Sequence, residues 1–94
     1  MSDARSTIAV DDERLRVTTW SFQPGDDTGH HRHEFDYVVV PITGGTFEVS
    51  ETNGSTREME QEAGAPYVGR VGTEHNVTNR SGTAAIFVEI ELKR

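Results

Sequence analysis

Residues 25–44 read GDDTGHHRHEFDYVVVPITG, and the way this stretch folds decides how the whole chain folds. It holds three of the four histidines, His30, His31 and His33, and runs on into the β-branched residues Val38 to Val40. His31 and His33 are two apart. On a β-strand that spacing sends both side chains to one face, whereas on a helix they diverge by about 200°. The aromatic and β-branched content that follows favours the strand. Taking His31 to Ile42 as one strand, His31, His33, Phe35, Tyr37 and Val39 share an inward face. His30, Arg32, Glu34, Asp36 and Val38 share the other, which is charged at its start as a solvent face should be. Pro41 marks the end of the strand as an edge or bulge.

The β signal extends in both directions. Residues 14–22 (RLRVTTWSF) alternate Leu15, Val17 and Thr19 against Arg14, Arg16 and Thr18, and stop at the turn residues Pro24, Gly25, Asp26 and Asp27. After Gly44 and Gly45, residues 46–52 put Phe47 and Val49 on one face, and Asn53-Gly54 predicts a type I′ hairpin turn. Its second arm is STREMEQEA (55–63), a strand despite its helix formers, with Glu58, Glu60 and Glu62 on a solvated face. Tyr67 to Val71, His75 to Asn79 and Ala84 to Leu92 complete the set, and Trp20, Phe35, Phe47 and Phe87 are the expected core aromatics. Short strands about ten residues apart predict an all-β fold, a small antiparallel β-barrel or sandwich. A chain this short must close its edges or cover them with a second subunit. Residues 1–12, polar and acidic, are expected to be a flexible segment, and 13–94 a single domain.

Composition excludes several function classes. The formal net charge is −7 and the nine basic residues are scattered, which argues against nucleic acid and anionic membrane as partners. There is no cysteine, hence no disulfide, thiol catalysis, iron–sulfur cluster or thiolate zinc site. The start of the chain carries no apolar leader and no segment approaches a membrane-spanning length, so a cytoplasmic protein is expected.

Imidazole is the commonest metal ligand among side chains. Two imidazoles make a weak site; a third convergent ligand makes a useful one. His75 heads a later strand that antiparallel pairing could bring beside His31 and His33. Three histidines leave coordination positions open for water or substrate, which suits Zn(II) as a Lewis acid, or Fe(II), Ni(II) or Mn(II) acting on a chelating substrate.

Two motifs then stand in register. Gly25, five residues, His31-Arg32-His33, three residues, Tyr37, six residues and Gly44 resemble the first cupin motif. Gly64, five residues, Arg70-Val71-Gly72, two residues, His75, three residues and Asn79 resemble the second. The resemblance implies a double-stranded β-helix (jelly-roll) barrel, often a homodimer, with a divalent metal held by His31, His33 and His75. It also implies a structural role for Asn79 and turn roles for Gly25, Gly44 and Gly72. Two positions depart from the pattern: Tyr37 occupies the place of the motif's glutamate and Arg70 that of its proline. The resulting neutral three-histidine set looks like that of cupin dioxygenases acting on cysteine or β-diketones. Tyr37, as a neutral hydrogen-bonding phenol, and Arg70, on the rim and able to pair with Glu74 or an anionic substrate, are the candidate catalytic residues. The expected function is a metalloenzyme of dioxygenase or isomerase type with a small anionic or carbonyl-bearing substrate. The alternative is a metal-free cupin whose histidines hydrogen-bond one another or a small-molecule ligand.

Overall fold

Apolar and polar residues alternate along most of the chain, and glycine, proline, asparagine or aspartate interrupts them every few positions. A computed structural model, which describes residues 2–93, turns this pattern into nine strands with no helix among the described residues. One sheet has the order β1 (Arg5–Asp11), β2 (Leu15–Phe22), β9 (Ala85–Leu92), β4 (Asp36–Pro41) and β7 (Tyr67–Gly69). The other has the order β3 (His31–Arg32), β8 (Glu74–Asn79), β5 (Gly45–Glu51) and β6 (Thr56–Gln61). Every strand pair is antiparallel. The inner faces of the two sheets meet in one core, the all-β double-stranded β-helix that the motifs imply.

Three aromatics anchor that core. Phe22 packs on Phe47 and on Phe87, each at 5.3 Å between ring centroids, and Phe47 meets Phe87 at 5.9 Å. Edge-to-face and tilted pairs at this spacing add specific attraction to the burial of apolar area. Val39, Val49, Val77 and Ala85 fill the space around them.

The structure departs from the expected elements at four places. Residues 31–42 are not one strand: β3 belongs to one sheet and β4 to the other, with a break at His33–Phe35. The loop before β8 makes this break. His33 N–H donates to the Thr73 carbonyl at 2.8 Å, the His33 carbonyl accepts from Gly72 N–H at 2.8 Å, and Asp36 Oδ1 accepts from Val71 N–H at 2.8 Å. Phe35 is therefore only half-buried and lies outside the core. In β2 the inward residues are Thr18, Trp20 and Phe22, so the more apolar side of the alternation, Leu15, Val17 and Thr19, faces outward. The segment 1–12, expected to be flexible, contains β1, which pairs along β2 with a bulge between Ile8 and Val10 and is exposed throughout; Met1 and Arg94, at the outer ends of the expected segment and domain, lie outside the described residues. Finally, the β5–β6 turn is not type I′, because Asn53 has no positive φ and only Gly54 does (87°). Asn53 Oδ1 instead accepts from Ser55 N–H at 3.0 Å and Ser55 Oγ–H at 2.7 Å, while Gly54 N–H reaches the Glu51 carbonyl at 3.0 Å. A turn closed by one left-handed glycine gives the same hairpin.

Pro41 ends β4 where β7 no longer runs alongside, and its carbonyl accepts from Gly64 N–H in the following loop at 2.9 Å. The ring therefore displaces no ladder hydrogen bond.

Candidate metal centre

His31 and His75 lie directly opposite each other in the β3–β8 pair, so their side chains rise from the same face. His33 joins them from the break just after β3, with its backbone clamped on both sides by the Gly72–Thr73 turn. The three Nε2 atoms converge: His31 to His33 is 3.1 Å and His33 to His75 is 3.2 Å. His33 and His75 are buried and His31 half-buried. His30 stays outside, as strand parity predicts, exposed and 3.2 Å from Glu74.

Protonation favours ligation. His31 Nδ1–H donates to the Gly29 carbonyl at 2.9 Å, which leaves a lone pair on Nε2. Burial, reinforced by the neighbouring imidazoles, lowers His33 and His75 to about 4, so both are neutral at pH 7. Nδ1 of His75 is buried without a hydrogen-bond partner, so this ring is oriented by packing against His31, at 4.7 Å between centroids. Three nitrogens aimed at one point cannot all be satisfied by one another, since the Nε2–H of His33 can point at only one neighbour. A cation accepting all three lone pairs satisfies them together, so the donor set fits a divalent metal of the nitrogen-preferring kind.

Tyr37 supports this set through its ring face. It stacks on His33 at 3.8 Å between centroids and 17° between planes, and its hydroxyl hydrogen-bonds Thr73. Burial first, then the nearby Glu89, pushes its phenol up to about 12, so it remains neutral. The opposite face of the ring lies on Gly69, its cross-strand partner in β7, where an added Cβ would fall inside the ring's Cζ, Cε1 and Cε2. The site needs glycine at position 69 because nothing larger fits under that ring. Arg70 follows at the end of β7, exposed on the cavity rim. The expected pairing of Arg70 with Glu74 does not form. Glu74 instead accepts from His30 and from Thr52 (3.0 Å), and these hold its carboxyl below the usual range.

A cavity of about 340 Å³ opens beside the histidines, and Trp20, Tyr67, Met59, Arg57, Arg70 and Glu89 are among its lining residues. Two of these, Arg57 and Glu89, are functional candidates that the sequence reading passed over. Glu89 is 9% exposed and is raised to about 7, chiefly by burial and then by Glu91. The strand pattern carries a signal for both. Glu89 falls on the inward parity of Ala85 and Phe87, and Arg57 on that of Met59 and Gln61. Asn79, 1% exposed, is structural: its Nδ2 donates to the Gln23 and Thr83 carbonyls, and its Oδ1 accepts from Ser81 N–H.

No protein-family model matches the chain. By sequence it is similar to the β-alanine degradation protein BauB of Pseudomonas aeruginosa, 47% identical over 87 residues that span 93% of this chain and 90% of the relative. By structure it is similar to a cupin domain from Bordetella pertussis, 44% identical with a TM-score of 0.94, covering 99% of this chain and 96% of that one. A double-stranded β-helix domain protein from Klebsiella pneumoniae matches with a TM-score of 0.79 at 21% identity over 97% of this chain and 77% of that one, and so shares the fold. With this fold, both histidine motifs in register and a near-full-length match to a cupin domain, the chain belongs to the cupin family.

Proposed function

We propose that this cupin binds one divalent metal ion through Nε2 of His31, His33 and His75, and works on a small carboxylate-bearing molecule held in the adjoining cavity. The observation that carries the reading is the convergence of three imidazole nitrogens on one point. Such a metal would supply Lewis acidity and open coordination positions. The rest belongs to the chain. Gly29 fixes the tautomer of His31, Tyr37 holds the plane of His33, and Arg70 places positive charge at the cavity mouth where a carboxylate would enter. The β-alanine degradation relative supports a short amino- or oxo-carboxylate as ligand class, and oxygenation and isomerisation both suit a three-histidine set. The metals this donor set favours are Zn(II), Fe(II), Ni(II) and Mn(II). The test is reconstitution with each metal followed by competition with a short carboxylate. Stoichiometric binding lost in His33→Ala supports the reading, and ligand binding that survives both EDTA and His75→Ala favours a metal-free cupin instead.

We also infer that the chain pairs with a second copy of itself. The outer face of the five-stranded sheet carries an unbroken apolar row, Val10–Val17–Ile90–Val38–Val68, one residue from each strand. Val10 and Val68 are 43% and 57% exposed, too apolar a stripe for a face meant for water. Five strands about 4.8 Å apart and seven residues long cover roughly 550 Å² of sheet, and the accessible area of its side chains is larger still. That is in the range of the roughly 800 Å² per partner typical of stable complexes. An apolar stripe is self-complementary, as a two-fold interface requires.

A further inference from the structure

Glu89 is a buried ionisable group that lines the histidine cavity and that the metal centre does not use. It sits in β9, the middle strand of its sheet, with Thr18 of β2 on one side and Val39 of β4 on the other. Its side chain lines the histidine cavity, 9% exposed, with no ion-pair partner among the described residues. The nearby guanidinium, Arg16, is already held by Glu91 at 2.9 Å. A carboxyl in such a position destabilises the fold unless a ligand repays it, since glutamine would fill the same space without the charge. At the opposite pole of the cavity charge, Arg70 on the rim has no ion-pair partner among the described residues. One buried acid inside and a free cation at the mouth describe a receptacle for a short dipolar molecule.

We propose that Glu89 receives the ammonium group of a short amino-carboxylate whose carboxylate faces Arg70 and the histidine centre. This rests on the reading above and names its substrate class: an amino acid rather than a simple acid. The groups facing Glu89 from the neighbouring elements are compatible. Trp20 of β2 hydrogen-bonds it, Arg16 draws its pKa down, and Glu91 of its own strand pushes it up. From β4 and β7, Tyr37 and Tyr67 are both held as neutral phenols by burial. Arg57 of β6 is taken by Glu51 at 3.0 Å, and His75 of β8 is neutral. No fixed cation competes for Glu89, so an arriving ammonium would be its counter-ion. Because burial keeps Glu89 partly protonated near neutral pH, binding an ammonium there should expel a proton.

The test uses the Ni(II)-loaded full chain, with β-alanine and propanoate as probes that differ only by the amine, and calorimetry in two buffers of different ionisation enthalpy. Wild type should prefer β-alanine and release protons on binding it below pH 7. Glu89→Gln, isosteric and uncharged, should lose about ten- to a hundredfold in β-alanine affinity, bind propanoate as before, and release no proton. Equal affinities of wild type for the two probes, or an undiminished preference for β-alanine in Glu89→Gln, overturns the inference. Metal stoichiometry, measured on the same samples, reports separately on the three-histidine reading: nickel retained with no amine preference sinks only the role of Glu89, whereas retention of none of Ni(II), Fe(II), Mn(II) and Zn(II) sinks the metal site.

Discussion

Replacing Gly69 by alanine should disturb the histidine centre without touching a ligand. The Tyr37 ring lies between Gly69 on one face and His33, at 3.8 Å, on the other. A methyl at position 69 would overlap ring carbons, whereas carbon atoms rest about 3.5–4.0 Å apart, so the ring must move by more than an ångström toward a histidine already in contact. Such overpacking costs about 1–3 kcal/mol, offset by about 0.4–1 kcal/mol from the reduced freedom of the unfolded chain. The net loss should be about 1–2 kcal/mol, which for a domain of this size lowers Tm by roughly 4–16 °C. Thermal unfolding of the metal-free protein measures this, and metal affinity measured alongside should fall as His33 is pushed out of line. Tyr37→Leu removes the ring face that the methyl meets, so the double variant should lose less than the sum of the two singles by at least about 1 kcal/mol. An unchanged Tm in Gly69→Ala, or a strictly additive cycle, would refute the packing argument.

Glu89 should leave a mark on the pH dependence of stability. Its folded pKa, about 7, lies above the ordinary glutamate value of 4.5, so the folded state binds the extra proton between these values and stability falls as pH rises through that window. Relative to Glu89→Gln the wild type should lose about 3 kcal/mol between pH 4 and pH 8 in urea titrations, at 1.36 kcal/mol per unit; parallel curves would contradict the burial of an ionisable carboxyl. His33 and His75, lowered to about 4, act in the opposite sense, with stability lost as pH falls from 6.5 toward 4, and should do so equally in both proteins. Asn79→Ala removes three hydrogen bonds made by a side chain that is 1% exposed and should cost about 2–4 kcal/mol in urea unfolding. Val38→Lys places a charge within the outer apolar row and should turn a dimer into a monomer by light scattering, with the fold retained by circular dichroism; a wild type that is already monomeric refutes the pairing.

Much of the site could be read from spacing, and the physical reasons for what could not are local. His31 and His75 reach one face because strand parity and antiparallel pairing require it, and His30 is excluded by the same rule. His33 reaches the site differently: its position is set by hydrogen bonds to Gly72 and Thr73, some forty residues away, and no local pattern records the break they impose. The inward face of β2 was ambiguous because both faces of that strand carry apolar residues, one for the core and one for the outer stripe. Ordinary alternation placed β5, β6 and β9 where they are found. Glu89 and Gly69 escaped notice for opposite reasons. An acidic residue at an inward position reads as one more charge in a run of EIE, and a glycine in a three-residue strand reads as punctuation, until the Tyr37 ring is seen lying against it.

Metal content tests the three-histidine centre most directly. The protein should be stripped with a chelator, reloaded in turn with Fe(II), Ni(II), Mn(II) and Zn(II), freed of excess ion, and assayed by elemental analysis beside His31→Ala, His33→Ala and His75→Ala. The wild-type chain should retain about one equivalent of at least one of these metals, and none of the three variants should retain any. A wild type that retains no metal, or variants that hold as much as it does, would contradict the three-histidine centre.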